Sequence, residues 1–120
     1  MENYGDLLNA KRALSRKQLI DSEFPYNEYE KEILEGEYLA RLDMKEWGKI
    51  PCIHCFFTTD ENEKMLLIAY GKNNQYRVNN YGIDFSDMDI KIGTKYKIII
   101  GKSKNNRTKW LDAEKFIEGC

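Results

Sequence analysis

Apolar positions fall in two rhythms along this chain. From Asp6 to Ile20, Leu7, Leu8, Ala10, Leu14 and Ile20 recur among charged residues at the loose spacing of an amphipathic helix. Ser15 followed by Gln18 has the form of a capping box, so that helix is expected to break and restart there. A second helix is predicted over 27–35. Asn27 can accept from an exposed backbone N–H, Glu30 can return the bond, Gly36 suits a left-handed stop, and Pro25 marks the connection before it.

From Glu37 the period becomes two. Tyr38, Ala40, Leu42 and Met44 share one face of an extended segment, with Glu37, Arg41 and Asp43 on the other. Residues 50–59 and 64–70 read as the second and third strands, joined by the polar turn Asp60-Glu61-Asn62-Glu63. The third, Met65 to Tyr70, is apolar on both faces and is expected at the centre of a sheet. Gly71, Asn73-Asn74, Asn79-Asn80, Gly82 and Gly93 punctuate a long connection over 71–94, with a turn of helix near Phe85. A fourth strand follows from Thr94 through Tyr96, Ile98 and Ile100. Asn105-Asn106 leads into a fifth around Thr108 to Leu111, and 112–117 continues as a short helix or strand.

The fold class this pattern predicts is α+β, in one domain over 1–120. A helical segment, 1–36, precedes a five-stranded antiparallel body, 37–117. Three strands, a long connection and two more strands, with Gly93-Thr94-Lys95-Tyr96 entering a strand and a hairpin ending in Trp110-Leu111, resemble the layout of the OB-fold, a partly open barrel. An SH3-like barrel is the alternative. The OB resemblance implies an oligonucleotide or peptide ligand.

Composition narrows the setting. At 120 residues, with 42% hydrophobic and 32% charged side chains, the chain has enough apolar mass for one core. No apolar run is long enough to span a bilayer and Met1 to Asp6 lacks a signal pattern, so no membrane association is expected. Cys52, Cys55 and Cys120 are an odd, sparse set that fits free thiols, and a cytoplasmic location is expected. No cofactor motif is present.

The net charge of −1 conceals local asymmetry. Lys11, Arg12, Arg16 and Lys17 form one basic cluster, and Lys102, Lys104, Arg107 and Lys109 another. Between them, Glu23, Glu28, Glu30, Glu32, Glu35 and Glu37 make an acidic stretch relieved only by Lys31. Two binding surfaces follow. A protein partner would meet Glu28, Tyr29, Glu30, Glu32, Glu35 and Glu37 on the acidic helix, whose carboxylates complement a basic surface such as that of a nucleic-acid-handling enzyme. A single nucleic-acid strand would instead stack on His54, Phe56, Tyr70 and Tyr76, with Arg77, Lys102, Lys104, Arg107 and Lys109 meeting its phosphates.

Cys52-Ile53-His54-Cys55 carries zinc-type donors, and a small zinc-stabilised domain is the third reading. On a strand, however, Cys52 and His54 point one way and Cys55 the other, so the three do not converge without distortion. A Cys–His nucleophile pair is not expected either, since Cys52 stands two residues from His54 on the same strand face and no residue in the sequence is evident as the orienter of His54. The chain is expected to act by binding rather than catalysis. A small domain of this kind, with an acidic tyrosine-rich segment, is similar in general character to phage and mobile-element accessory proteins such as anti-CRISPR inhibitors. That similarity implies stoichiometric docking on a nucleic-acid-handling protein.

Overall fold

Alternating side chains over five segments produce five strands: β1 (Gly36–Trp47), β2 (Cys52–Thr59), β3 (Lys64–Tyr70), β4 (Lys95–Lys102) and β5 (Thr108–Lys115). The computed structural model describes residues 15–71, 75–78, 82–87 and 90–116. The predicted helix through Leu7, Leu8, Ala10 and Leu14, the cations Lys11 and Arg12, and Cys120 lie outside the described residues. The strands form one antiparallel sheet in the order β3-β2-β1-β4-β5. Among the described residues no ladder joins β3 to β5, so the sheet is open where a barrel would close.

The inner face of the sheet carries one apolar core. Ala40 and Leu42 of β1, Ile53, Cys55 and Phe57 of β2, Met65, Leu67 and Ala69 of β3, Tyr96, Ile98 and Ile100 of β4, and Trp110 and Ala113 of β5 all belong to it. Residues of both end strands meet in a single cluster, so the sheet bends around it. Phe85 plugs the centre, 5.0 Å from the Trp110 ring and 0% exposed. Its segment is a hydrogen-bonded turn, Asp87 N–H to Asp84 O at 3.0 Å, where a turn of helix was expected. Asp84 holds that turn by accepting from the Ser86 hydroxyl and from the Ser86 and Tyr76 N–H groups. Burial alone would push its carboxyl up, but these bonds together bring it below the usual carboxylate value.

The outer face is half covered. The Ser15 and Gln18 capping box forms as expected and starts α1 (Arg16–Asp21), which buries Leu19. Leu19, Phe24 and Tyr29 pack on Met44 and Phe56 as a second cluster, with the Phe24 ring 4.8 Å from that of Phe56 and 5.5 Å from that of Tyr29. The helix expected over 27–35 does not form. A 3-10 turn spans Tyr26–Tyr29 and the chain is irregular from there to β1. The cause is tertiary. Tyr29 belongs to the outer cluster whereas Ile33 packs against the inner one, and a helix would hold both on the same face.

A bulge in β1 decides everything beyond it. Leu42 pairs with Phe57 and Met44 with Phe56, leaving Asp43 as the extra residue. The face reverses there, so Met44 joins the outer cluster instead of lying with Tyr38, Ala40 and Leu42 as the alternation predicted. Lys45 consequently turns inward opposite Cys55, and Glu46 turns outward opposite His54. The strand thus runs on to Trp47, beyond the Met44 end suggested by its sequence. β3 also differs from expectation. It is an end strand, and its double-sided apolar pattern leaves Ile68 and Tyr70 exposed on the outer face.

Candidate functional site

The N-terminal segment covers Met44, Phe56 and Leu66 but stops short of the β1–β2 turn. Beyond its edge lies a cleft of about 580 Å³ lined by Arg16, Glu46, Trp47, Gly48, Lys49, Ile50, Cys52, His54, Ile68 and Tyr70. Its rim is apolar and exposed: Trp47 at 42%, Ile50 at 59% and Tyr70 at 59%.

Glu46 organises the floor. The side chain is 1% exposed, and its carboxylate accepts from the Tyr26 hydroxyl on one oxygen and from His54 Nδ1, at 2.8 Å, on the other. Arg16 stands 3.7 Å away, its guanidinium 4.6 Å above the Tyr26 ring. Burial first, and then the Glu46 carboxylate, push the Tyr26 hydroxyl far above its ordinary value, so the phenol remains a donor. With Nδ1 held by Glu46, Nε2 is the ring nitrogen of His54 left over. Every fully buried side-chain nitrogen or oxygen among the described residues has a partner. Nε2, which has none, therefore opens on the cleft.

Cys52 lies beside it on the same strand face. A Cβ built on Gly48 would stand 2.2 Å from Cys52 Sγ and 3.1 Å from His54 Nε2, so only glycine lets the β1–β2 turn close over the two donors. Burial, more than any other influence, pushes the Cys52 thiol up; the Gly48 N–H opposes this and Glu46 adds to it. Cys55 points into the inner core at 0% exposed, where burial pushes its thiol far up. The three-residue metal set Cys52, His54 and Cys55 is therefore split across the sheet, as strand geometry requires, and no group of three possible ligands occurs among the described residues.

Behind the cleft, Lys45 is fully buried. Its Nζ donates to the backbone oxygens of Phe85, at 3.2 Å, and Asp87, at 3.4 Å, tying the central turn to β1. Burial lowers its affinity for the proton, partly offset by Cys55, Asp87 and Asp84.

A second cavity of about 410 Å³ adjoins the cleft through Ile68 and Tyr70. It occupies the space between β3 and β5, with Ile33, Arg77, Val78, Ile100, Thr108, Lys109 and Trp110 completing the wall. Among the described residues, Glu46 supplies the only carboxylate in either lining, and it is buried.

Of the residues expected to contact nucleic acid, His54 and Tyr70 meet in the cleft, while Arg77 and Lys109 line the adjoining cavity. Tyr76 packs edge-on against Trp47 at 5.2 Å. Arg77 is turned partly inward and donates to the Gly82 carbonyl. Phe56 is excluded as a stacking surface, because at 1% exposed it is the floor of the aromatic cluster. Lys104 and Arg107 are exposed in the β4–β5 turn, outside both linings, and Lys102 pairs with Glu35 at 3.6 Å.

The acidic surface is likewise redistributed. Tyr29 is buried and donates to Asp43 at 2.8 Å, so it offers nothing to a partner. Glu37 pairs with Lys97 at 3.4 Å, and Glu28, Glu30 and Glu32 are exposed. Sequence reasoning missed Glu46 and Trp47 as members of the cleft and Tyr26 as the donor that holds Glu46. The one available signal was the loss of alternation over Leu42-Asp43-Met44-Lys45-Glu46-Trp47.

Comparison with known families, curated proteins and solved structures finds no match to this chain. Its class is defined by its own architecture: a mostly β protein with one five-stranded antiparallel sheet, a short N-terminal cover and an exposed aromatic cleft at the uncovered end. Among the described residues, no helix is long and apolar enough to cross a membrane.

Proposed function

We propose that this protein binds single-stranded nucleic acid without catalysis, along the path from the cleft to the cavity between β3 and β5. One observation carries the reading. In a chain of net charge −1, the described residues lining the two adjoining cavities present Arg16, Lys49, Arg77 and Lys109 with exposed Trp47 and Tyr70, and no exposed carboxylate. Cations tracking phosphates beside open aromatic faces are what a single strand requires, and stacking on any one base is worth about 1–3 kcal/mol. The OB-like barrel belongs to the same proposal, with the end strands approaching across the cavity and the ligand lying over β2 and β3.

Fluorescence anisotropy with a labelled single-stranded oligonucleotide at low salt tests it. Binding that weakens with salt and quenches tryptophan fluorescence, with the part of the quench owed to exposed Trp47 lost in Trp47→Ala, is the expected result. Trp47→Ala and Tyr70→Ala should each cost about 5- to 150-fold in affinity. No binding at low salt removes the reading.

A second reading has its own support, because Glu28, Glu30 and Glu32 are exposed with no cationic partner among the described residues. These carboxylates suit a basic protein surface, as in a mobile-element inhibitor docked on a nucleic-acid-handling enzyme. Reversing all three to Lys should then abolish capture of such an enzyme while leaving oligonucleotide binding intact.

A further inference from the structure

Two donor atoms in the cleft floor are left without a role by the binding reading. Cys52 Sγ and His54 Nε2 both lie close to the bare Cα of Gly48, at 2.2 Å and 3.1 Å from where a Cβ would stand. Nδ1 of the same ring is held by buried Glu46 at 2.8 Å, and Tyr26 holds the other carboxylate oxygen. A carboxylate behind an imidazole is the arrangement that fixes a histidine ligand, setting the tautomer and the ring angle so that Nε2 presents its lone pair.

We propose that Cys52 Sγ and His54 Nε2 form a two-donor site for a soft monovalent d10 cation of the cuprous class. Thiolate and imidazole are the donors such an ion prefers. A structural zinc site wants four ligands, and the described residues hold no group of three His, Cys, Asp or Glu. A linear two-coordinate ion needs no third donor. Binding forms one metal–sulfur and one metal–nitrogen bond, and the Cys52 thiol proton leaves to water. The ion keeps its oxidation state, so no electron donor or acceptor is required. A side chain at Gly48 would crowd both donors, so the site requires glycine there.

The site is independent of the oligonucleotide reading and is tested with no nucleic acid present. The reduced full-length chain carrying Cys120→Ser is titrated anaerobically with cuprous ion held by bicinchoninate, whose colour is lost as the protein takes the metal. One ion per chain is expected. Cys52→Ser should lower the affinity by about 100-fold or more, and Glu46→Gln by about 10- to 100-fold through a loosened imidazole. Since Glu46→Gln disturbs a buried network, X-ray absorption of the copper-loaded chain gives a readout that needs no variant: one sulfur and one imidazole nitrogen. Uptake unchanged in Cys52→Ser, or a copper spectrum lacking the imidazole, overturns the assignment.

Discussion

Gly48 and Lys45 show how closely single residues are specified here. Gly48 faces the Cys52 sulfur so tightly that Gly48→Ala must displace it, and overpacking of this kind costs about 1–3 kcal/mol. Denaturant unfolding should show that loss, and Cys52→Ala in the same chain should restore most of it. Two equal and additive losses would show that the clash is elsewhere. Lys45 couples to pH instead. Its folded proton affinity is depressed by burial below that of the unfolded chain, so between the depressed folded value and the ordinary value of 10.5 the unfolded state binds more protons. Stability contributed through this group therefore rises with pH across that window and is lost as pH falls through the folded value. The stability of Lys45→Met relative to the parent should fall as pH rises toward 10.5, as read from denaturation midpoints. Parallel pH profiles would refute this. Neither residue's role was legible in the sequence, because each depends on an atom brought to it by another segment of the chain.

At the scale of elements, the N-terminal cover is held by rings rather than by helix propensity. α1 has only six residues, too few to persist alone, so its position follows from Leu19, Phe24 and Tyr29 seated on Met44 and Phe56. Phe24 touches Tyr26, Tyr29 and Phe56 at ring distances of 5.1, 5.5 and 4.8 Å. Phe24→Ala should cost about 3–5 kcal/mol in thermal or chemical unfolding, while Leu34→Ala, at an exposed site, should stay within about 0.5 kcal/mol. Equal effects would mean that the cover contributes little. The same cover explains which expectations failed. Strand positions could be read from period-two alternation and the α1 cap from Ser15 and Gln18, since both signals are local. The helix over 27–35 had good local signals too, yet burying Tyr29 and Ile33 in separate cores outweighed them.

For the molecule as a whole, the placement of charge matters more than its sum. Acidic and basic stretches that are far apart in sequence lie side by side, with Glu35 on Lys102 and Glu37 on Lys97. These are exposed pairs of small energetic value, about 0–1 kcal/mol each, but they cancel much of the field both stretches suggested. Among the described residues, the cations of the adjoining cavities lie in linings free of exposed carboxylates. Lys49→Glu and Lys109→Glu should therefore each weaken oligonucleotide binding and flatten its dependence on salt, by about 0.7 in the log–log slope for each phosphate that is no longer neutralised. Lys97→Glu, outside both linings, should leave the slope unchanged. Weaker binding with an unaltered slope would show that these cations act on fold and not on phosphate.

The sequence by itself determined five strands, their antiparallel hairpins, and the separation of Cys55 from Cys52 and His54. All of these follow from the two-residue period and from local turn chemistry. Tertiary structure alone decided the rest. One extra residue at Asp43 turned Lys45 inward and Glu46 outward, and the order of strands left the doubly apolar β3 at an edge. Glu46 could then reach His54 and Tyr26 from different elements. A bulge leaves almost no local signature, and a partner across a sheet leaves none, because the free energy that selects both is gained only when distant segments pack.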